Sequence, residues 1–166
     1  VLADESKLPE LQAALKARGL STRAAAGEAA CCEAASDPEA DAVLLAASGA
    51  AGLPQAFAAA KAGKRMLLAN KESVVGGALL QQAIREGGAE LLPVDSEHSA
   101  IFQSLAAATP AQREKAVIWL TCSGGPFLRR MDLTGVTVEE ASTHPRWKMG
   151  RKITVDSASL MHKALE

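Results

Sequence analysis

Apolar runs alternate with helical spacings of apolar residues over residues 8–94. Because the runs do not alternate apolar with polar positions, they predict strands covered on both faces, as in a parallel sheet. The predicted strands are "DAVLLAA" (41–47), "RMLLAN" (65–70) and "AELLPV" (89–94). The predicted helices cover residues 8–18, the stretch from Leu53 to near Gly63, and residues 73–86 before the cap signal Gly87-Gly88. This order predicts an α/β fold with a mostly parallel sheet and right-handed crossovers.

The pattern changes after residue 94, and we place a domain boundary near residue 93. Two further strands, "KAVIWLTC" (115–122) and "KITVD" (152–156), are predicted, together with a helix over 97–106. Ser157 is predicted to be the N-cap of a final helix. The long segment 123–151 has little regular pattern, and loops of this length are usually lids or binding loops. The second part is therefore predicted to be α+β.

Composition is that of an ordinary globular protein, with 48% hydrophobic and 22% charged residues in 166. A net charge of −1 gives no broad attraction to nucleic acid or to an anionic membrane. Three cysteines form neither a disulfide framework nor a zinc spacing, which favours a reducing compartment. No apolar run approaches the ~20 residues that span a bilayer. The chain lacks an initial Met and stops inside a predicted helix, so we expect it to be part of something larger.

Two acids, Asp95 and Glu97, follow the third predicted strand. In extended chain, residues i and i+2 point to the same side, so both carboxylates can face one point in space. Oxygen ligands suit Mg²⁺ or Mn²⁺, although two of them need a third ligand and waters. The common alternative is a solvated strand end.

The second predicted strand also ends in polar residues, in "LLANKES" (67–73). Asn70, Lys71 and Glu72 would then lie at the carboxyl edge of the sheet, where open α/β folds bind ligands. The alternative is a solvated helix cap at Ser73.

Anion-binding signals occur further along the chain. The glycines of "TCSGGPF" (121–127) free backbone N–H groups for an anion, or form a simple turn. A helix that opens at Ser157 would favour an anion at its N-terminus, which Lys163 can reach. The alternative is an amphipathic helix with solvated charges. Trp147 is either anchored on the core or part of a lid over a ligand.

Together these stretches resemble the 1-deoxy-D-xylulose 5-phosphate reductoisomerase family. "LLANKES", "LPVDSEHSAIFQSL", "SGGPF", "HPRWKMGRKITVDSAS" and "KALE" occur in the family's order and at its approximate spacings, from about residue 40 to the end. The resemblance implies rearrangement and NADPH-dependent reduction of 1-deoxy-D-xylulose 5-phosphate to 2-C-methyl-D-erythritol 4-phosphate, for isoprenoid synthesis. It implies a Rossmann-like NADPH-binding part over 1–93 and a metal- and substrate-binding catalytic part over 94–166.

The resemblance also implies residue roles. The metal, Mg²⁺ or Mn²⁺ with Co²⁺ as a further candidate, would be bound by Asp95, Glu97 and Glu166, and Lys71 joins these as a catalytic residue. NADPH would contact Asn70, Glu72 and Gly150. The resemblance implies that the substrate's phosphate is held by Ser123, Ser157, His162 and Lys163. The full set of implied substrate contacts is Lys71, Ser96, Glu97, Ser123, His144, Trp147, Ser157, His162, Lys163 and Glu166.

This sequence departs from the family's pattern at two positions. His162 stands where the family usually has Asn, which affects a phosphate contact, and Cys122 stands where a small residue is common. The glycine-rich phosphate loop of the nucleotide domain has no match, so we expect no turnover by these 166 residues alone. A binding module without catalysis and another metal-dependent phosphosugar dehydrogenase or isomerase are the alternatives. The resemblance further implies a homodimer, in bacterial cytoplasm or plastid stroma.

Overall fold

Three parallel strands form the sheet of the structure, a computed structural model that covers residues 1–166. They pair in chain order and are β1 (Ala42–Leu45), β2 (Arg65–Leu68) and β3 (Glu90–Pro93). Ala42 pairs with Arg65, and Arg65 pairs with Glu90. The three predicted strands and their parallel pairing are confirmed. Because the strands are parallel, their carboxyl ends lie at one edge of the sheet.

The chain divides into two compact units, Val1–Ser96 and Glu97–Glu166. The functions predicted for the two parts of the chain stay predictions. The first unit contains four α-helices beside the sheet, which are α1 (Leu8–Ala17), α2 (Glu28–Ala35), α3 (Leu53–Lys61) and α4 (Gly77–Gly87). No helix of the structure combines the length and the apolar character needed to cross a membrane.

The core of the first unit lies where α3 packs on the sheet. Ala56, Ala59 and Ala60 on α3 are completely buried, as is Met66 of β2. Short alanine side chains let the backbone of α3 approach its neighbours closely. At Gly87, the end of α4, an added Cβ would overlap the carbonyl oxygen of Ala60.

Two features of the first unit differ from the sequence prediction. Helix α2 was not predicted, because its sequence "EAACCEAA" has small residues and no strong apolar stripe. Helix α4 begins at Gly77 rather than at residue 73, because a 3₁₀ helix covers Lys71–Gly76. Gly77 has φ of +47°, a conformation that favours glycine and separates the two helices.

The second unit is helical. Its helices are α5 (Ser96–Ser104), α6 (Pro110–Glu114), α7 (Val138–Ala141), α8 (Arg151–Ser159) and α9 (Met161–Leu165). The first residue of α5, Ser96, is the last residue of the first unit. The strand predicted over 115–122 is wrong: Val117 and Trp119 are 76% and 86% exposed, and no strand pairs with this segment. An apolar, β-branched segment forms a strand only with a hydrogen-bonded partner. The segment 123–151 is irregular apart from α7, as predicted.

The strand predicted over 152–156 and the N-cap predicted at Ser157 are also wrong. Residues 151–159 form helix α8, so Ser157 lies inside a helix. The backbone N–H and the hydroxyl of Thr154 both donate to the carbonyl of Gly150 at 3.0 Å. Thr154 and Ser157, three residues apart, are both buried, which is the spacing of one helical face. Burial of this face outweighs the strand propensity of the β-branched residues.

We expect Gly87→Ala to destabilise the chain by about 3 kcal/mol, because the overlap with a backbone carbonyl cannot be relieved by a side-chain rotation. Urea unfolding measures the change. Gly19→Ala is the matched control, since Gly19 has φ of +66° and open space around it, so its cost is about 1 kcal/mol of backbone strain. Equal losses in the two variants would contradict the close approach of α3 and α4.

Candidate active site

Asn70 fastens the carboxyl end of β2 to the loop after β1. Its side chain is almost fully buried, and Nδ2 donates to the carbonyl oxygens of Ala47 and Gly49, the latter at 3.0 Å. Its Oδ1 accepts the backbone N–H of Ser73 at 2.9 Å and caps the 3₁₀ helix. Nδ2 also lies 3.1 Å from Oε2 of Glu72. The amide of Asn70 therefore holds two segments of the sheet edge together.

Lys71 and Asp95 meet at the same edge, after β2 and β3. Nζ of Lys71 lies 2.9 Å from Oδ2 of Asp95, and their side chains are only 21% and 8% exposed. The backbone N–H groups of Val94 and Asp95 both donate to the carbonyl of Leu68, which fixes the turn out of β3. A charge pair this shielded from water interacts more strongly than one on the surface.

In the second unit, one lysine bridges two carboxylates. Nζ of Lys163 lies 2.6 Å from Oε1 of Glu97 and 2.6 Å from Oε2 of Glu166. Glu97 lies in the first turn of α5, whereas Lys163 lies on α9, three residues before Glu166. The Glu166 side chain is fully buried, and that of Lys163 is 14% exposed. His98, which sequence reasoning missed although it adjoins Glu97, has Nε2 3.2 Å from the carbonyl oxygen of Glu166.

Two opposing effects act on the pKa of Lys163. Burial disfavours the ammonium and lowers the pKa. The hydrogen bonds and negative charges of Glu166 and Glu97 stabilise the ammonium and outweigh burial, so the pKa is raised above its ordinary value. The ammonium form of Lys163 is therefore favoured between the two carboxyl groups.

Ser123 and His144 form a second polar pair in this unit. Nε2 of His144 lies 3.0 Å from Oγ of Ser123. Nδ1 of the same ring accepts the backbone N–H groups of Arg146 and Trp147 at 3.1 and 3.0 Å. Because Nδ1 is an acceptor, the ring hydrogen lies on Nε2 and is donated to Ser123. The hydroxyl hydrogen of Ser123 then points elsewhere.

The Gly-Gly turn after Ser123 packs on α8. At Gly125, where φ is +62°, an added Cβ would lie 2.6 Å from the carbonyl oxygen of Ser157. Only glycine permits this approach, which places the turn against Ser157. Asp156 directly precedes Ser157, and its backbone carbonyl oxygen accepts a hydrogen bond from Nδ1 of His162 at 3.0 Å.

Leu160 separates α8 from α9, a feature that sequence reasoning missed. Its φ of +59° makes it the one non-glycine residue with positive φ. Such a conformation costs about 1–2 kcal/mol for an L-residue. It turns the chain so that α9, with His162 and Lys163, begins directly after α8. Nothing in the residue type signals this turn.

The segment with the predicted lid is fastened at several points. Trp147 is 61% exposed, and its backbone is held by His144. Nη1 of Arg130 lies 2.8 Å from Oε1 of Glu140. Hydrogen bonds from the backbone and hydroxyl of Thr137 and from Arg130 lower the pKa of Glu140 below its ordinary value.

Gly150, predicted to contact NADPH, precedes α8 as its N-cap.

Comparison with known families gives a consistent match to both parts of the chain. Residues 1–78 match the family described as 1-deoxy-D-xylulose 5-phosphate reductoisomerase, and residues 91–166 match the C-terminal domain of the same enzyme. The chain belongs to the 1-deoxy-D-xylulose 5-phosphate reductoisomerase family. The resemblance drawn from the motifs is confirmed.

Curated relatives in this family include bacterial 1-deoxy-D-xylulose 5-phosphate reductoisomerases. The protein of Pseudomonas aeruginosa strain UCBPP-PA14 is 52% identical over 172 residues, and that of Aromatoleum aromaticum is 51% identical over 172 residues. Each alignment takes in 100% of this chain and 43% of the relative. The chain thus spans less than half the length of these relatives.

Solved structures of the family have the same fold. A crystal structure of DOX-P reductoisomerase in complex with NADPH, fosmidomycin and magnesium is similar with a TM-score of 0.87 and 40% identity. It is matched over 99% of this chain and 43% of its own. The reductoisomerase from Zymomonas mobilis in complex with NADPH has a TM-score of 0.78 and 43% identity, over 99% of this chain and 42% of its own.

The structure brings several residues of the predicted family site together within each unit. In the first unit these are Lys71 with Asp95 and Asn70 with Glu72. In the second unit they are Glu97, Lys163 and Glu166, and separately Ser123 with His144. The side chain of Lys163 contacts the carboxylates of Glu97 and Glu166 rather than Ser157. The sequence did not predict this contact. The ligand roles themselves stay predictions.

We expect Asn70→Ala to destabilise the chain by about 2–3 kcal/mol, because buried carbonyls lose their donor. Asn70→Asp should destabilise it at pH 7 as well, since a carboxylate would face those carbonyls and Glu72. Protonation relieves that repulsion, so the Asp variant should recover stability as the pH falls. Chemical unfolding between about pH 5 and pH 8 measures both effects. The exposed Gln82→Ala is the control, with a change within about 0.5 kcal/mol.

Proposed function

We propose that this chain forms the later part of the NADPH-binding domain (1–93) and most of the metal- and substrate-binding domain (94–166) of a reductoisomerase. The proposed reaction rearranges 1-deoxy-D-xylulose 5-phosphate and reduces the product to 2-C-methyl-D-erythritol 4-phosphate, an isoprenoid precursor. The observation that supports it best is the convergence of the Glu97 and Glu166 carboxylates in the second unit. Membership in the reductoisomerase family supports a metal-binding role for this pair.

Asp95, Glu97 and Glu166 are the proposed ligands of Mg²⁺ or Mn²⁺. Ligand oxygens of Glu97 and Glu166 lie within 4.8 Å of each other. A small adjustment would place both on one Mg²⁺, whose oxygen ligands lie about 2.1 Å from the ion. Two carboxylates and the Lys163 ammonium together carry one net negative charge, and this charge attracts a dication. Asp95 lies only two residues before Glu97 in the chain.

Each cofactor would supply chemistry that side chains lack. The metal would polarise the carbonyl and hydroxyl oxygens of the substrate. NADPH would deliver the hydride that reduces the rearranged aldehyde, held in part by Asn70, Glu72 and Gly150. Lys71, oriented by Asp95 at 2.9 Å, would donate a hydrogen bond to a substrate oxygen, with Ser96 beside it on the substrate hydroxyls.

The second unit offers donors for the substrate's phosphate group. Ser123 has a hydroxyl hydrogen to donate, because its oxygen already accepts from His144. Ser157 lies against the same Gly-Gly turn, at Gly125. His162 and Lys163 follow on α9, where Lys163 would add positive charge near the phosphate and His162 would lie beside it. Trp147 would cover the bound substrate and exclude water.

We also propose a homodimer located in bacterial cytoplasm, rather than in a plastid stroma. The bacterial origin of the curated relatives supports the location, and the family resemblance alone supports the dimer. Light scattering after size exclusion measures the assembly state.

A chimeric enzyme tests the proposed reaction. This chain replaces the matching segment of the Pseudomonas aeruginosa relative, and NADPH oxidation is followed with 1-deoxy-D-xylulose 5-phosphate and Mg²⁺. We expect turnover that requires the substrate and the metal. A folded chimera that binds Mg²⁺ without turnover would instead support a binding module. Turnover of another phosphosugar in its place would support a different dehydrogenase or isomerase.

We expect Glu97→Gln and Glu166→Gln each to weaken Mg²⁺ binding by at least about tenfold, because the charge of a ligand is lost. Titration calorimetry on the 166-residue chain measures the affinity. Glu139→Gln, an exposed acid on α7, is the matched control and should leave the affinity unchanged. If both ligand variants bind Mg²⁺ as the unmodified chain does, these carboxylates are structural and the proposed site is wrong.

A further inference from the structure

The Lys163 ammonium lies at the point where two carboxylates converge. It is 2.6 Å from an oxygen of Glu97 and 2.6 Å from an oxygen of Glu166. The fully buried Glu166 side chain has little water to screen its charge. Two carboxylates this near each other repel strongly unless a cation lies between them. Lys163 supplies that cation from within the chain.

A divalent metal bound by the same two carboxylates would need the same charge balance. An ammonium and a dication within a few ångströms also repel each other, so both cannot keep short contacts with one oxygen pair. Metal binding at Glu97 and Glu166 therefore requires the Lys163 side chain to withdraw. Its four-carbon stem makes that movement possible without moving α9.

We propose that Lys163 is an internal counter-ion that competes with the divalent metal for Glu97 and Glu166, and that metal binding releases its ammonium to the substrate's phosphate. This inference rests on the proposed metal site. Its consequence is that the metal and a phosphate group strengthen each other's binding. The metal removes the lysine's carboxylate partners, while a phosphate stabilises the lysine in its withdrawn position.

The surroundings of Lys163 give the released ammonium a destination. The N–H of Lys163 donates to the carbonyl of Leu160, and the N–H of Leu160 lies 3.4 Å from the carbonyl oxygen of Ser157. Helix α9 thus begins one turn away from Ser157. The adjoining His162 is bonded to the carbonyl of Asp156, next to Ser157. We therefore expect the lysine, once it leaves the carboxylates, to reach phosphate oxygens held at Ser157.

The first test removes the competing charge. Lys163→Met keeps the length and apolar stem of the side chain, and Mn²⁺ affinity of the 166-residue chain is measured by titration calorimetry. We expect Mn²⁺ to bind about tenfold more tightly, within the usual range of coupling effects. Lys163→Arg keeps the cation and should bind Mn²⁺ as the unmodified chain does. Lys152→Met is the matched control, because Lys152 is a lysine of the same unit whose 2.6 Å ion pair is with Asp156.

The second test measures the coupling itself. Inorganic phosphate is titrated into the chain with and without saturating Mn²⁺. We expect Mn²⁺ to raise phosphate affinity by about tenfold in the unmodified chain and in Lys152→Met, and to have no such effect in Lys163→Met. A thermal melt provides a further readout: Mn²⁺ should stabilise Lys163→Met more than it stabilises the unmodified chain.

The outcomes separate this inference from the proposed function. If Lys163→Met binds Mn²⁺ no more tightly than the unmodified chain while Glu97→Gln weakens binding, the metal site stands and the competition is disproved. If neither Glu97→Gln nor Glu166→Gln changes Mn²⁺ affinity, the metal site itself is wrong and the inference fails with it. Tighter Mn²⁺ binding by Lys163→Met together with loss of the phosphate coupling supports both.

Discussion

Repulsion between the carboxylates of Glu97 and Glu166 is the constraint on which the site in the second unit depends. These groups are close and poorly screened, so their repulsion must be offset by a cation between them or by a proton on one of them. Lys163 meets that requirement with two 2.6 Å contacts. Because Glu97 lies on α5, Lys163 lies on α9 and Glu166 follows α9 as its C-cap residue, the same contacts also connect the first and last helices of this unit.

The first unit solves a similar problem at the carboxyl edge of its sheet. Parallel pairing brings the ends of β2 and β3 side by side, which places Lys71 next to Asp95. The neutral amide of Asn70 satisfies the backbone carbonyls of the loop after β1, where a charged group would be costly. Charged residues are thus kept in ion pairs, and the buried structural contact is made by a neutral group. The side chain of Asn70 is engaged by the protein itself.

The sequence predicted the parts of the fold that depend on local pattern. Strands β1, β2 and β3 are unbroken apolar runs, and their pairing follows from their alternation with helices. The strand predicted over 152–156 failed because propensity alone cannot reveal which face of a segment is buried. The motifs identified the chemical groups, yet the bridging position of Lys163 could not be predicted. It depends on a contact across 66 residues of chain.

The two histidines of the second unit show how backbone contacts decide side-chain chemistry. His144 accepts two backbone N–H groups at Nδ1, so its hydrogen lies on Nε2 and is donated to Ser123. His162 has the opposite tautomer, because a backbone carbonyl can only accept and Nδ1 must therefore donate to Asp156. A neutral His162 then presents only a lone pair at Nε2.

This difference gives the two residues unequal value for the phosphate proposed above. Ser123 is left with a hydroxyl hydrogen to donate, and it needs no change of protonation to meet an anion. The neutral His162 ring presents an acceptor at Nε2, which repels phosphate oxygens, and it offers a donor there only after its hydrogen bond to Asp156 is broken. The asparagine that the family resemblance implies at this position would have amide hydrogens in every protonation state of its surroundings. The substitution at 162 therefore exchanges a constant donor for a conditional one, while His144 keeps Ser123 constant.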